Sequence, residues 1–164
     1  AHTLAPIDMV LHAIVHLFEG GEMDDALREL VDLDQLLRHF GATEPQFWTR
    51  FWPRACELDL ARPAFYGLRY AQRLLGTPVL EAVFEAARAW APSDPTLRLM
   101  DWLVPRALFP RHPDRPDRAA AVARWLLYLR SHWLRMPPLM LARHLAYKAY
   151  RRLVPDRGSE TPPG

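Results

Sequence analysis

Two histidines and three charged residues near the start of the chain are the side chains best placed to do chemistry. His12 and His16 stand four residues apart, the spacing at which two imidazoles on one helix can share a metal or donate to one anion. At about 100° per residue, Asp8, His12, His16 and Glu19 fall in one narrow arc opposite Ile7, Val10, Leu11, Ile14, Leu17 and Phe18. The segment His12-Ala13-Ile14-Val15-His16 lacks the glutamate of an H-E-x-x-H zinc site, so no metal is assigned to it. A second helix carries Arg28, Asp32, Gln35 and His39 along one side, while Ala26, Leu30, Leu33, Leu37 and Phe40 form its apolar stripe.

Asp34 departs from that order. Its direction falls between those of Leu27 and Leu30, on the flank of the apolar face, where an unpartnered carboxylate is costly. It therefore needs a donor: Arg38 one turn on, a group on another helix, or a substrate. Asp32 and Asp34 cannot hold one metal cluster between them, because residues two apart on a helix diverge by about 200°. No glycine-rich phosphate loop follows a strand, and Ser93, Ser131 and Ser159 lack the context of a nucleophile elbow.

The elements that position these groups are helical throughout, with no strand alternation joined by hairpin turns. The expected fold is all-α, a bundle of about seven to eight helices opening with an antiparallel hairpin. Helix 1 runs from Pro6 to Phe18 and stops at Gly20-Gly21. Helix 2 runs from Met23 to Phe40 with Gly41 as a left-handed terminator, and Thr43 and Pro45 start helix 3, which Pro53 should kink or divide. Helix 4 covers Ala61 to Leu75 and ends at Gly76. Helix 5 starts at Thr77-Pro78 and reaches Trp90, and Asp94-Pro95 starts a helix ending near Pro105. Asp117 caps the next, which reads to Arg135; Pro137-Pro138 breaks it from a last helix, Leu139 to Val154.

The organisation expected from this is a helical domain over 1–108, a proline-rich linker over 109–116, a basic helical pair over 117–154 packed on it, and a disordered tail over 155–164. Half of the 164 residues are hydrophobic, enough to bury a sizeable core. The single cysteine, Cys56, has no partner for an internal disulfide, which fits a reducing cytoplasm. No leader sequence and no apolar run near 18 residues is present, so the chain reads as soluble and cytoplasmic, with Ala1 marking a domain edge.

Charge is unevenly spread. Residues 1–50 carry 3 Arg against 9 acids, and residues 101–164 carry 12 Arg and Lys against 5 acids. The last helix aligns His144, Lys148, Arg151 and Arg152 as a basic surface opposite Ala142, Leu145, Ala149 and Leu153, and across the last two helices Trp125, Tyr128, Trp133, Tyr147 and Tyr150 are interleaved with arginines. Twenty of the 21 basic residues are Arg, a bias of composition rather than a code for nucleic acid. A solvated cationic face is the expectation there, and the tryptophans are expected in the core.

The segment LHAIVHLFEGGEMDDALRELVDLDQLL, Leu11 to Leu37, followed by Phe47 to Val79, resembles the helical C-terminal half of the uncharacterised nucleotidyltransferase family, in the polymerase-β-like superfamily. The resemblance covers about Ile7 to Val79 and rests on the histidine pair, the Arg-x-x-x-Asp-x-Asp helix and the spacing between them. It implies that the catalytic equipment lies upstream in cis: a Gly-Ser turn for the nucleotide phosphates and strand aspartates for a divalent metal such as Mg²⁺. It implies no catalytic residue, metal or cofactor in this chain, which would be inactive alone. The chain would then be an accessory portion packed on that core, helping to close the nucleotide and acceptor site. His12, His16, Arg28, Asp32 and Asp34 would face the core, with Arg28 toward phosphate and Asp34 orienting a histidine or an acceptor group. Two other readings stay open, a stand-alone protein-interaction module and a peripheral membrane-surface protein using the basic C-terminal helices. A self-sufficient metal hydrolase ranks last.

Overall fold

A computed structural model describes residues 4–19, 25–108 and 117–135. Among these residues the chain is all-α, with seven helices and no strand. They are α1 (Pro6–Glu19), α2 (Ala26–Thr43), α3 (Phe47–Glu57), α4 (Ala61–Leu75), α5 (Glu81–Arg88), α6 (Asp94–Leu108) and α7 (Arg118–Arg135). The chain divides into two units, Ala1–Ser131 and His132–Gly164. The first holds α1 to α6 and most of α7. The basic residues His144, Lys148, Arg151 and Arg152, the expected last helix and the tail lie outside the described residues.

Helix α4 is the centre of the first unit. It buries Ala61, Pro63, Ala64, Phe65, Tyr66, Gly67, Leu68, Tyr70 and Ala71, residues on nearly every side of the helix, and α1, α2, α3 and α5 all pack against it. Helix α1 brings Val10, Leu11, Ile14, Leu17 and Phe18 to it, and α2 brings Ala26, Leu30, Leu33 and Leu37, the apolar faces that helical spacing assigns them. Gly67 lets α1 come close, since a Cβ there would stand 2.7 Å from Ile14 Cγ1. Phe18, Tyr66 and Tyr70 stack at centroid separations of 5.9–6.2 Å, and Phe40, Phe47, Trp48 and Phe51 form a second aromatic group between α2 and α3. Met100, Leu103, Val104, Ala107 and Leu108 of α6, with Ala123 and Leu127 of α7, complete one continuous core.

Helix ends depart from the sequence reading in four places. Helix α2 continues through Gly41 to Thr43. Gly41 serves close packing there, because a Cβ would lie 2.7 Å from the Trp48 indole nitrogen. The Thr43 hydroxyl donates back to the His39 carbonyl at 2.8 Å, so Thr43 closes α2 instead of capping α3, whose N-cap is Gln46. Helix α3 runs undivided through Pro53, with Phe51, Trp52 and Ala55 anchoring both sides of the proline in the core. Helix α5 spans only Glu81–Arg88: Thr77 is buried, and its hydroxyl donates to Asp34, which leaves it unable to cap a helix.

Helix α6 begins at Asp94, with the Ser93 carbonyl accepting the Leu97 N–H, and passes Pro105 to reach Leu108. Gly76 is the left-handed terminator of α4 at φ 67°, and its N–H and that of Thr77 reach the Gln72 and Ala71 carbonyls. Asp59 takes the same conformation at φ 58° between α3 and α4. Asp117 Oδ1 accepts the Ala119 and Ala120 N–H groups at 2.8 and 3.2 Å, the capping role its position suggests.

The candidate site on the α1–α2 hairpin

Helical register places His12 and His16 side by side on α1, their rings edge to face at 6.5 Å, and both are exposed. Across the hairpin, Glu29 of α2 meets His16, with 3.6 Å between Nδ1 and Oε1. The other oxygen, Glu29 Oε2, is buried without a hydrogen-bond partner. Glu29 is therefore the member of this polar face that the sequence reading missed. Its signal was available: it sits one turn from Asp32 and Leu33, on the side of α2 that an antiparallel α1 must approach. Arg28 and Asp32 are exposed, and among the described residues neither makes an ion pair. The hairpin thus gathers His12, His16 and Glu29, while Arg28 and Asp32 stay open to solvent on α2.

Asp34 stands apart from these, as the angular divergence from Asp32 requires. Its Oδ1 accepts from Arg38 Nε at 2.8 Å and from the Thr77 hydroxyl at 2.6 Å, and its Oδ2 accepts from Arg38 Nε at 3.0 Å. Arg38 in turn donates through Nη2 to the Leu75 carbonyl at 3.0 Å, one of the terminal acceptors of α4. The carboxylate on the flank of the apolar face is thereby satisfied twice over. It ties α2 to the end of α4.

Two further carboxylates are consumed the same way. Asp8 accepts from Arg54 Nε at 2.9 Å and Nη2 at 3.3 Å, joining α1 to α3, and Arg54 also donates to Glu57 at 2.9 Å. Those hydrogen bonds, first from Asp8 and then from Glu57, hold the Arg54 guanidinium above its ordinary range against the opposing effect of burial. An open groove of about 670 Å³ lies beside this pair, lined by Ile7, Thr49, Arg50 and Pro53 among others.

The densest charge cluster lies between α4 and α6. Asp101 accepts from Arg69 Nε at 3.0 Å and Nη2 at 2.7 Å, from the Tyr70 hydroxyl at 3.1 Å, and from Arg73 Nη1 at 2.6 Å. Burial works to raise the Asp101 carboxyl, but the hydrogen bonds and charges of Arg69 and Arg73 outweigh it and leave the group below the usual range. Burial, then the charge of Asp101, pushes the Tyr70 phenol far up, so it remains a neutral donor. Tyr66 is raised by burial too, against the charges of Arg130 and Arg62, and the Arg130 guanidinium lies 5.2 Å from the centre of its ring.

Among the described residues no group of three or more His, Cys, Asp or Glu is arranged to hold a metal ion. The tryptophans do not follow the expectation of a core role. Trp52 is buried and Trp48 half-buried, whereas Trp90, Trp102, Trp125 and Trp133 are exposed.

No curated protein and no solved structure matches the chain. A family comparison does match, and it ends at Gly76, the residue that terminates α4, so that it takes in the hairpin, α3 and the central helix. Residues 1–76 match the model of a family described as an uncharacterised nucleotidyltransferase.

Proposed function

We propose that the chain is the helical accessory portion of a nucleotidyltransferase-like protein, packing on a catalytic core upstream in the same polypeptide and helping to close its nucleotide and acceptor site. The observation that carries this reading is the coincidence of the family match with the α1–α2 hairpin, whose exposed polar groups are not needed to hold the bundle together. Asp8, Asp34 and Asp101 are each hydrogen-bonded to a second helix or its end, while among the described residues Arg28 and Asp32 make no ion pair and exposed His16 meets α2 only through its 3.6 Å contact with Glu29.

On this reading His12 and His16 face the core as donors to phosphate or acceptor oxygens, and Arg28 supplies a fixed cation toward phosphate. Glu29 holds the His16 ring from behind, which makes it a positioning residue. Asp34 acts one step further back, by fixing the α4 terminus against α2. On this reading nucleotide and a divalent metal belong to the core.

The test begins with the intact mass of the native polypeptide in its source cells, sought well above the 19.0 kDa of this chain. Nucleotide transfer by that polypeptide is then compared with its His16→Ala and Glu29→Gln variants. Both are expected to lower kcat by about tenfold or more, the order contributed by a positioned donor, with the thermal midpoint unchanged. Wild-type turnover in both variants, or a native polypeptide with no further domain, refutes the reading.

A further inference from the structure

We propose that Arg62 and Tyr66 of α4 and Arg130 of α7 form a binding site for a phosphate dianion, separate from the polar face of the hairpin. Tyr66 is 1% exposed and its ring is stacked with Phe18 and Tyr70, so the phenol is held in place. Arg62 stands one turn earlier on the same face of α4, and helical side chains lean toward the N-terminus, which carries the Tyr66 hydroxyl back toward Arg62. Arg130 approaches from α7, its guanidinium carbon 5.2 Å from the centre of the Tyr66 ring. Burial raises this phenol, while the charges of Arg130 and Arg62 and then their hydrogen bonds oppose it, so both cations reach the one oxygen.

What this cluster lacks is an acceptor. Arg38, Arg54, Arg69 and Arg73 all meet carboxylates. Among the described residues Arg62 and Arg130 make no ion pair, and neither does Asp59, three positions before Arg62. The two stacked phenols show the same contrast: the Tyr70 hydroxyl donates to Asp101 at 3.1 Å, whereas among the described residues no carboxylate accepts from Tyr66. Arg62 also lies in the first turn of α4, where the N-cap Leu60 supplies no side-chain acceptor, so the positive end of the helix adds to the same field. Two cations drawn to one neutral oxygen repel each other, and an anion between them reverses the sign of that interaction. A dianion balances both charges. The oxygens of a phosphate can accept from two guanidinium forks and a phenol together, more donors than the two oxygens of a carboxylate serve as well. A nucleic-acid phosphodiester carries one charge per phosphate, so a terminal phosphate or a pyrophosphate is the better match.

The experiment is titration calorimetry of the full chain with pyrophosphate and with inorganic phosphate at fixed ionic strength, against acetate and an oligothymidylate without terminal phosphate. Saturable binding of pyrophosphate and phosphate is expected, with acetate about tenfold weaker or more. Arg62→Gln and Arg130→Gln should each weaken pyrophosphate binding about tenfold, and Tyr66→Phe, which keeps the stacked ring, about threefold. Arg50→Gln removes an exposed arginine of α3 that makes no ion pair among the described residues and should leave binding unchanged. Circular dichroism verifies that each variant is folded. The proposal is overturned by absence of saturable pyrophosphate binding, by wild-type affinity in both Arg62→Gln and Arg130→Gln, or by an Arg62-dependent affinity for oligothymidylate without one for pyrophosphate.

Discussion

Removing the Asp101 carboxylate should cost the protein about 3 kcal/mol of stability, and the size follows from how its partners are buried. The carboxylate is 18% exposed and Arg69 26%, which makes their two-bond fork intermediate between a surface pair, worth less than about 1 kcal/mol, and a buried one, worth about 3–5 kcal/mol to break. Arg73 is 52% exposed, so its 2.6 Å contact is discounted by solvent to about 0.5 kcal/mol. The Tyr70 hydroxyl lies on a fully buried residue and would lose its acceptor, adding about 1 kcal/mol. For a chain of 164 residues a loss of about 3 kcal/mol lowers the thermal midpoint by roughly 6–12 °C.

The assay is urea denaturation of wild type, Asp101→Ala, Arg69→Ala, Arg73→Ala and the two double variants. A coupling of about 1.5 kcal/mol or more is expected between Asp101 and Arg69, and less than about 0.5 kcal/mol between Asp101 and Arg73. The pH dependence has a definite sign. Because the folded carboxyl titrates below its unfolded value, its contribution is complete above about pH 4 and is lost as pH falls through the lowered native value. The difference between wild type and Asp101→Ala should therefore be constant near neutrality and narrow in acid. A cost under about 0.5 kcal/mol, or equal couplings to Arg69 and Arg73, would refute the assignment of this cluster as the link between α4 and α6.

Gly67→Ala should destabilise by about 1–2 kcal/mol despite a helix-propensity gain of about 1 kcal/mol, because the new Cβ meets Ile14 Cγ1, Cδ1 and Cγ2 at 2.7–3.0 Å. In an Ile14→Ala background the same change should be neutral or stabilising, and chemical denaturation of the four proteins reads the coupling. Thr77→Val, which keeps shape and removes the donor to Asp34, should cost about 1–2 kcal/mol, and Thr77→Ser should recover most of it in the same measurement. The two left-handed positions should respond oppositely. Gly76→Ala should lose about 1–2 kcal/mol although nothing lies within 4 Å of the added Cβ, while Asp59→Gly should gain about 0.5 kcal/mol, both read as shifts in thermal midpoint.

What the sequence made legible, and what it hid, divides along one physical line. Periodicity alone locates the buried faces of α1 and α2, because Val10, Ile14 and Leu17 or Leu30, Leu33 and Leu37 repeat at the helical interval, and burial depends on that interval. The left-handed turn at Gly76 is legible for the same local reason, since φ 67° suits glycine. Gly41 and Thr43 look equally local and are not: one glycine admits the Trp48 indole, and one threonine bonds back into its own helix, so local chemistry alone places the end of α2 too early. Thr77 is the clearest case, a residue with the sequence signature of a cap whose hydroxyl is taken by Asp34, 43 positions away.

The same line runs through the polar residues and sharpens the functional question. Asp34 is conspicuous in the sequence because it interrupts an apolar flank, and its donors are Arg38, which spacing suggests, and Thr77, which no spacing could reveal. Asp101 attracts no notice in the sequence, yet it gathers two guanidiniums and a phenol, since Arg69, Tyr70 and Arg73 meet it only after α4 and α6 have packed. A carboxylate's prominence along the chain therefore says little about whether it is free to act. Once those satisfied in the bundle are set aside, the polar groups left on the segment matched to the nucleotidyltransferase family include His12, His16, Arg28, Glu29 and Asp32 on two adjoining helices. Any role of this segment in nucleotide transfer should fail first on substitution there, before it fails at Asp34 or Asp101 for any reason other than lost stability.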